Sequence, residues 1–100
     1  MSSGCLKNSL ESLHLEVNHF TGPIPDLGGF SSMKRLYLSD NLLNGTINKS
    51  IGQIFKLEIT CLSQNSLTGV IFEFSFFPNI SNLKELHLAN NPLVLKLSND

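Results

Sequence analysis

The sequence predicts a repeat solenoid of the α/β type, with a parallel β-sheet on the concave face, a mostly irregular or 3-10 convex side, and about four repeats. Three observations predict it. One spacing of aliphatic residues and asparagine recurs four times. Its asparagines, Asn18, Asn41, Asn65 and Asn91, are separated by 23, 24 and 26 residues. Three of the copies also contain a Leu-x-Leu alternation of period two, and the third has Thr60-x-Leu62 in its place. Recurrence at such a period marks units that cannot bury their apolar faces alone and do so by stacking on their neighbours. The alternation turns two residues of each copy toward the core of a short strand and leaves the residues between them facing out.

The first copy reads Leu10-x-x-Leu13-x-Leu15-x-x-Asn18-x-Phe20-x-Gly22-x-Ile24. The second is Met33-x-x-Leu36-x-Leu38-x-x-Asn41-x-Leu43-x-Gly45-x-Ile47, and the third is Leu57-x-x-Thr60-x-Leu62-x-x-Asn65-x-Leu67-x-Gly69-x-Ile71. The fourth, Leu83-x-x-Leu86-x-Leu88-x-x-Asn91-x-Leu93, breaks off there. The asparagine follows the strand at a bend, and its carbonyl and amide can satisfy backbone groups of its own turn and of the adjoining coil. A ladder of four is expected. The glycine permits a turn that a side chain would obstruct. On the return, Leu27, Ile51 and Phe77 keep one register, and Phe30, Ile54 and Ile80 keep another. All six are expected to fill the convex side of the core. The implied organisation is a lead-in over residues 1–7 and an array over 8–95, with repeats at about 10–32, 33–56, 57–82 and 83–95. Residues 96–100 read as a truncated end.

Composition narrows the partners. A chain that is 41% hydrophobic with a net charge of -1 can build a core, and its charge gives no reason to expect nucleic acid as a partner. No apolar run approaches the roughly 18 residues that cross a bilayer, and Met1 to Lys7 lack the apolar centre of a secretion signal. Cys5 and Cys61 are too few and too far apart for a disulfide framework or a metal site. No cofactor is implied.

The string from Asn18 to Gly28, Asn-His-Phe-Thr-Gly-Pro-Ile-Pro-Asp-Leu-Gly, resembles the plant-type leucine-rich repeat, L-x-x-L-x-L-x-x-N-x-L-x-G-x-I-P. The resemblance covers residues 8 to about 95. The segments 43–52 and 90–98 look like receptor-like proteins of plant defence in particular. The resemblance implies a right-handed coil in the ectodomain of a plasma-membrane protein, with a protein or peptide ligand and a co-receptor kinase as partners. Membrane association would come only through a span that this chain lacks. Such ectodomains are closed by cysteine-containing caps, and neither Cys5 nor Cys61 sits in one. The chain therefore reads as an uncapped interior segment or a truncated gene product. A soluble inhibitor similar to the polygalacturonase-inhibiting proteins is the alternative from another class.

Departures from the pattern carry expectations of their own. Proline follows the isoleucine only in the first repeat, its place being taken by Asn48 and Phe72, so a second sheet on the flank is expected to be irregular. Thr60 puts a hydroxyl in the core where leucine belongs, at about 1–3 kcal/mol unless it finds a partner. Phe74 and Phe76 have no core slot.

Outward-facing strand residues of a curved solenoid form its usual binding surface. The columns run Glu11, Ser12, His14, Glu16 and Val17 in the first strand, then Lys34, Arg35, Tyr37, Ser39 and Asp40 in the second. The third strand offers Glu58, Ile59, Cys61, Ser63 and Gln64, and the fourth Lys84, Glu85, His87, Ala89 and Asn90. Tyr37 and Arg35 are the preferred contacts, because aromatic and arginine side chains dominate binding hot spots. Cys61 and His87 are near enough to touch, yet no orienting third group or oxyanion hole accompanies them, so catalysis and a metal site are both poor fits. Asn44, Asn48 and Asn79 lie in Asn-x-Ser/Thr sequons. Asn44 adjoins the turn glycine and is expected to be partly occluded, which makes Asn48 and Asn79 the better acceptors.

Overall fold

The computed structural model describes residues 8–47, 49–72 and 82–96. Each copy of the repeat contributes two strands, in chain order β1 (Ser12–His14), β2 (Thr21–Gly22), β3 (Arg35–Tyr37), β4 (Leu42–Thr46), β5 (Ile59–Cys61), β6 (Ser66–Phe72), β7 (Glu85–His87) and β8 (Leu93–Lys96). A 3-10 helix, Lys49–Gln53, forms part of the convex return. The odd strands make a four-stranded concave sheet ordered β1-β3-β5-β7, and the even strands make a flank sheet ordered β2-β4-β6-β8. All pairings are parallel.

Aliphatic residues of both strands and of the return converge between the sheets. Met33, Leu36, Leu38, Leu43, Leu57, Leu62 and Leu67 of the middle coils are buried, with Leu27, Ile51 and Ile54 closing the convex side. Burying each contributes about 1.5–3 kcal/mol. Phe30 is half-buried against this cluster, as are Leu13 and Leu15 of the first coil and Leu86 and Leu88 of the fourth. Phe74, Phe76, Phe77 and Ile80 lie outside the described residues.

The two sheets keep different registers. In the concave sheet Leu13, Leu36, Thr60 and Leu86 stand side by side, following the 23, 24 and 26 residue steps of the sequence. In the flank sheet Thr21 pairs with Leu42, Asn44 with Ser66, and Gly69 with Leu93, steps of 21, 22 and 24 residues. Each flank step is two residues shorter than its concave counterpart. A slip of two preserves which side chains face the core, whereas a slip of one would turn every one of them over.

The asparagine after each concave strand joins the two registers. Asn41 Nδ2 donates to the Leu15 carbonyl of the preceding coil at 2.9 Å and to Leu38 of its own at 3.0 Å, while its Oδ1 accepts from the Phe20 N–H at 3.3 Å. Asn65 repeats the pattern with Leu38, Leu62 and the Leu43 N–H, and Asn91 with Leu62, Leu88 and the Leu67 N–H. The amide nitrogen thus reaches the end of the concave strand, and the oxygen reaches back by 21, 22 and 24 residues, the flank register. Asn18 donates within its own coil, to the carbonyls of Leu15 and Glu16.

The flank sheet runs through all four coils but is irregular, as expected: β4 pairs with β2 through residues 42–43 and with β6 through residues 44–46, so no residue of it is paired on both sides. Its strands lengthen from two residues in β2 to five in β4 and seven in β6. The reason lies in Pro23 and Pro25, which follow β2 and cannot donate to a ladder. Where proline is replaced, the backbone is free to pair. Two of the turn glycines are required by conformation and not by crowding, whereas at Gly69, with φ of +103°, a Cβ would also come within 3.1 Å of the Thr46 side chain. Gly22 and Gly45 have φ of +84° and +76°, yet a Cβ at either would meet open space. The same openness leaves Asn44 exposed in β4, contrary to the expected occlusion. Thr60 occupies its leucine slot at 0% exposure with Oγ1 unpartnered among the described residues.

Candidate ligand-binding face on the concave sheet

The outward residues of the concave sheet sort into three groups. The first precedes the strands. Glu11, Lys34, Glu58 and Lys84 stack in register through the backbone bonds Lys34 N–H to Glu11 O and Glu58 N–H to Lys34 O, both under 2.9 Å, and Lys84 N–H to Glu58 O at 2.8 Å. Their charges alternate. Lys34 Nζ lies 3.7 Å from Glu11 and Lys84 Nζ lies 3.6 Å from Glu58. These are partly exposed pairs, worth about 0–1 kcal/mol each, and they leave the edge of the sheet with little net charge.

The second group is the face proper. Ser12, Arg35, Ile59 and Glu85 share one column, and His14, Tyr37, Cys61 and His87 share the next. Arg35 is held in place: its Nε donates to Ser12 Oγ at 2.6 Å, and Nη2 lies 3.9 Å from Glu11. Beside it the rings of His14 and Tyr37 stack with centroids 4.4 Å apart and planes inclined by 19°. His14 Nδ1 lies 3.5 Å from Glu16, and His87 Nε2 lies 3.1 Å from Glu85. Glu16, Ser39 and Ser63, all half-buried, follow the strands.

The third group terminates the face. Val17, Asp40, Gln64 and Asn90, each directly before a ladder asparagine, have φ between +56° and +60°. Asparagine and aspartate tolerate this left-handed region, whereas a β-branched residue rarely adopts it. Val17 is the strained member of the column. Asp40 and Gln64 are therefore backbone bends as much as contacts.

Cys61 is a free, half-buried thiol. Burial pushes its pKa above the ordinary thiol range, and the carboxylates of Glu85 and then Glu16 push it the same way. A nucleophile or metal ligand needs the opposite shift, toward thiolate. Its neighbour His87 is turned to Glu85. Among the described residues no group of three His, Cys, Asp or Glu side chains could hold a metal. The column arrangement is readable from the repeat spacing; the anchoring of Arg35 by Ser12 and Glu11 follows only once the strands are placed in register. Of the sequon asparagines, Asn44 lies on the flank sheet, and Asn48 and Asn79 lie outside the described residues.

The Leucine Rich Repeat family model matches residues 9–30, 32–54 and 82–100. The chain belongs to the leucine-rich repeat family. It is 38% identical to receptor-like protein 35 of Arabidopsis thaliana over 97 residues, which is 95% of this chain and 10% of that protein. Among solved structures it resembles the ectodomain of the Arabidopsis thaliana membrane receptor kinase GASSHO1/SCHENGEN3 in complex with Casparian strip integrity factor 2. There the identity is 35%, the TM-score 0.81, and the coverage 90% of this chain and 11% of that one. It also resembles the Arabidopsis receptor kinase HAESA in complex with the peptide hormone IDA and the co-receptor SERK1, at 32% identity and a TM-score of 0.77, covering 86% of this chain and 14% of that one. The leucine-rich repeat chain spans between 6% and 14% of the length of the curated plant receptor relatives it matches. No helix among the described residues is long and apolar enough to cross a membrane.

Proposed function

We propose that this leucine-rich repeat chain is a recognition segment of a plant cell-surface receptor-like protein, acting outside the plasma membrane in defence signalling. Its concave sheet binds a protein or peptide ligand, with a co-receptor kinase as a further partner. The observation that carries this reading is the prearranged cluster on β1 and β3, in which Tyr37 is stacked on His14 and Arg35 is fixed by Ser12 and Glu11. Anchors already held in one geometry lose little side-chain entropy on binding, and tyrosine and arginine supply large contact area with a polar end. The solved structure of HAESA in complex with a peptide hormone and a co-receptor supports the same use of the fold. The raised pKa of Cys61 speaks against hydrolytic chemistry on this face.

Panning the chain against a library of extended peptides, followed by fluorescence anisotropy on the selected binders, tests the reading. Tyr37→Ala is expected to weaken binding by about 30-fold or more, the scale of a hot-spot loss of about 2 kcal/mol. Thr68→Ala on the flank sheet is expected to leave it unchanged. Binders indifferent to Tyr37 and Arg35 but lost with Thr68→Ala would sink the proposal and move recognition to the flank.

A further inference from the structure

Strand β4 shows a second chemistry, on the side away from the concave face. Its buried residue Leu43, and Ile47 just beyond it, alternate with exposed Leu42, Asn44 and Thr46. Asn44 and Thr46 thus emerge on one face at the spacing of an Asn-x-Thr acceptor. We infer that Asn44 is an N-glycan acceptor, and that its glycan covers the flank sheet while leaving the concave sheet open. This rests on the extracellular reading above.

Three observations support the assignment. Among the described residues the Asn44 carboxamide has no hydrogen-bond partner, whereas those of Asn41 and Asn65 are engaged with both neighbouring backbones. The residue across from Asn44 is Ser66, small and exposed, so a sugar attached there meets no large side chain on the neighbouring strand β6. Gly45 between acceptor and hydroxyl stands in open space.

In the reaction the Asn44 carboxamide nitrogen bonds to the anomeric carbon of an oligosaccharide carried on a lipid pyrophosphate. The sugar–phosphate bond breaks, the lipid diphosphate leaves with its electron pair, and the amide proton passes to a base of the transferring enzyme. Transfer precedes folding, so the folded structure decides only whether the product is tolerated. At Asn44 the first sugar lies outside the coil beside Leu42, which is 52% exposed, and shields that side chain from water.

The test is to express the full chain behind a supplied, cleavable secretion leader, release glycans with an amidase that converts the acceptor asparagine to aspartate, and locate the conversion by peptide mass spectrometry. Conversion at Asn44 in the folded, secreted chain is expected, retained in Thr46→Ser and lost in Asn44→Gln and Thr46→Ala. An unmodified Asn44, whether or not other sequons are occupied, overturns the inference, as does a glycan at Asn44 found only on material that fails to fold. Because the leader is supplied, occupancy is read independently of the recognition proposal: a glycosylated chain that binds no peptide would sink that reading and leave this one standing.

Discussion

The second and third coils have neighbours on both sides and bury the same backbone position, yet one fills it with Leu36 and the other with Thr60. The two residues are register partners in the concave sheet, and both are wholly buried. Their equal burial shows that the coil assigns position by backbone register and asparagine bonding, and that side-chain polarity at a single slot does not displace a strand. The difference lies in what each returns. Leu36 contributes apolar contact, whereas Thr60 holds a hydroxyl without a partner among the described residues.

Substitutions at these and neighbouring positions separate packing from bonding when equilibrium unfolding in urea is followed. Leu36→Ala empties the filled slot and is expected to cost about 2–5 kcal/mol, the range for buried leucines that leave a cavity. A loss below 1 kcal/mol would mean that the second coil is no better packed than the third. Asn65→Ala attacks the bonding and not the packing. It orphans the Leu43 N–H and removes the link to the Leu38 carbonyl, so a loss of about 1–3 kcal/mol is expected for the unpaired donor alone. Thr60→Val keeps the shape and deletes the hydroxyl, and is expected to stabilise the chain by about 1 kcal/mol. Destabilisation there would reveal a partner for Oγ1. The smallest effect belongs to the outer surface: Val17 is 73% exposed and left-handed. Val17→Asn should gain somewhat under 1 kcal/mol by relieving backbone strain, with no change of contacts.

Most of the concave sheet was legible beforehand, because its register equals the spacing of the sequence repeat. Aligning His14, Tyr37, Cys61 and His87 by their asparagines also aligns them in space. The flank sheet was not legible in that way. Its register departs from the sequence period by the reach of an asparagine side chain, a length that no count of residues contains. The strain at Val17 was equally hidden, since the pattern there names the asparagine and is silent on the residue before it, although Asp40 and Asn90 in the same column were a usable signal. Arg35 was singled out for its chemistry, while its fixation depends on which neighbour stands opposite.

The slip between the two sheets has a practical meaning for anyone who rebuilds such arrays. An alignment of repeats is a faithful chart of one wall of the molecule and a displaced chart of the other. Transplanting a coil by its consensus boundaries carries a concave contact set across whole, but each flank residue then meets a stranger two places along from its aligned counterpart. Thr46 sits beside Thr68 and not beside Val70, although Gly45 and Gly69 are aligned in the sequence. Grafts meant for that wall have to be cut on the diagonal.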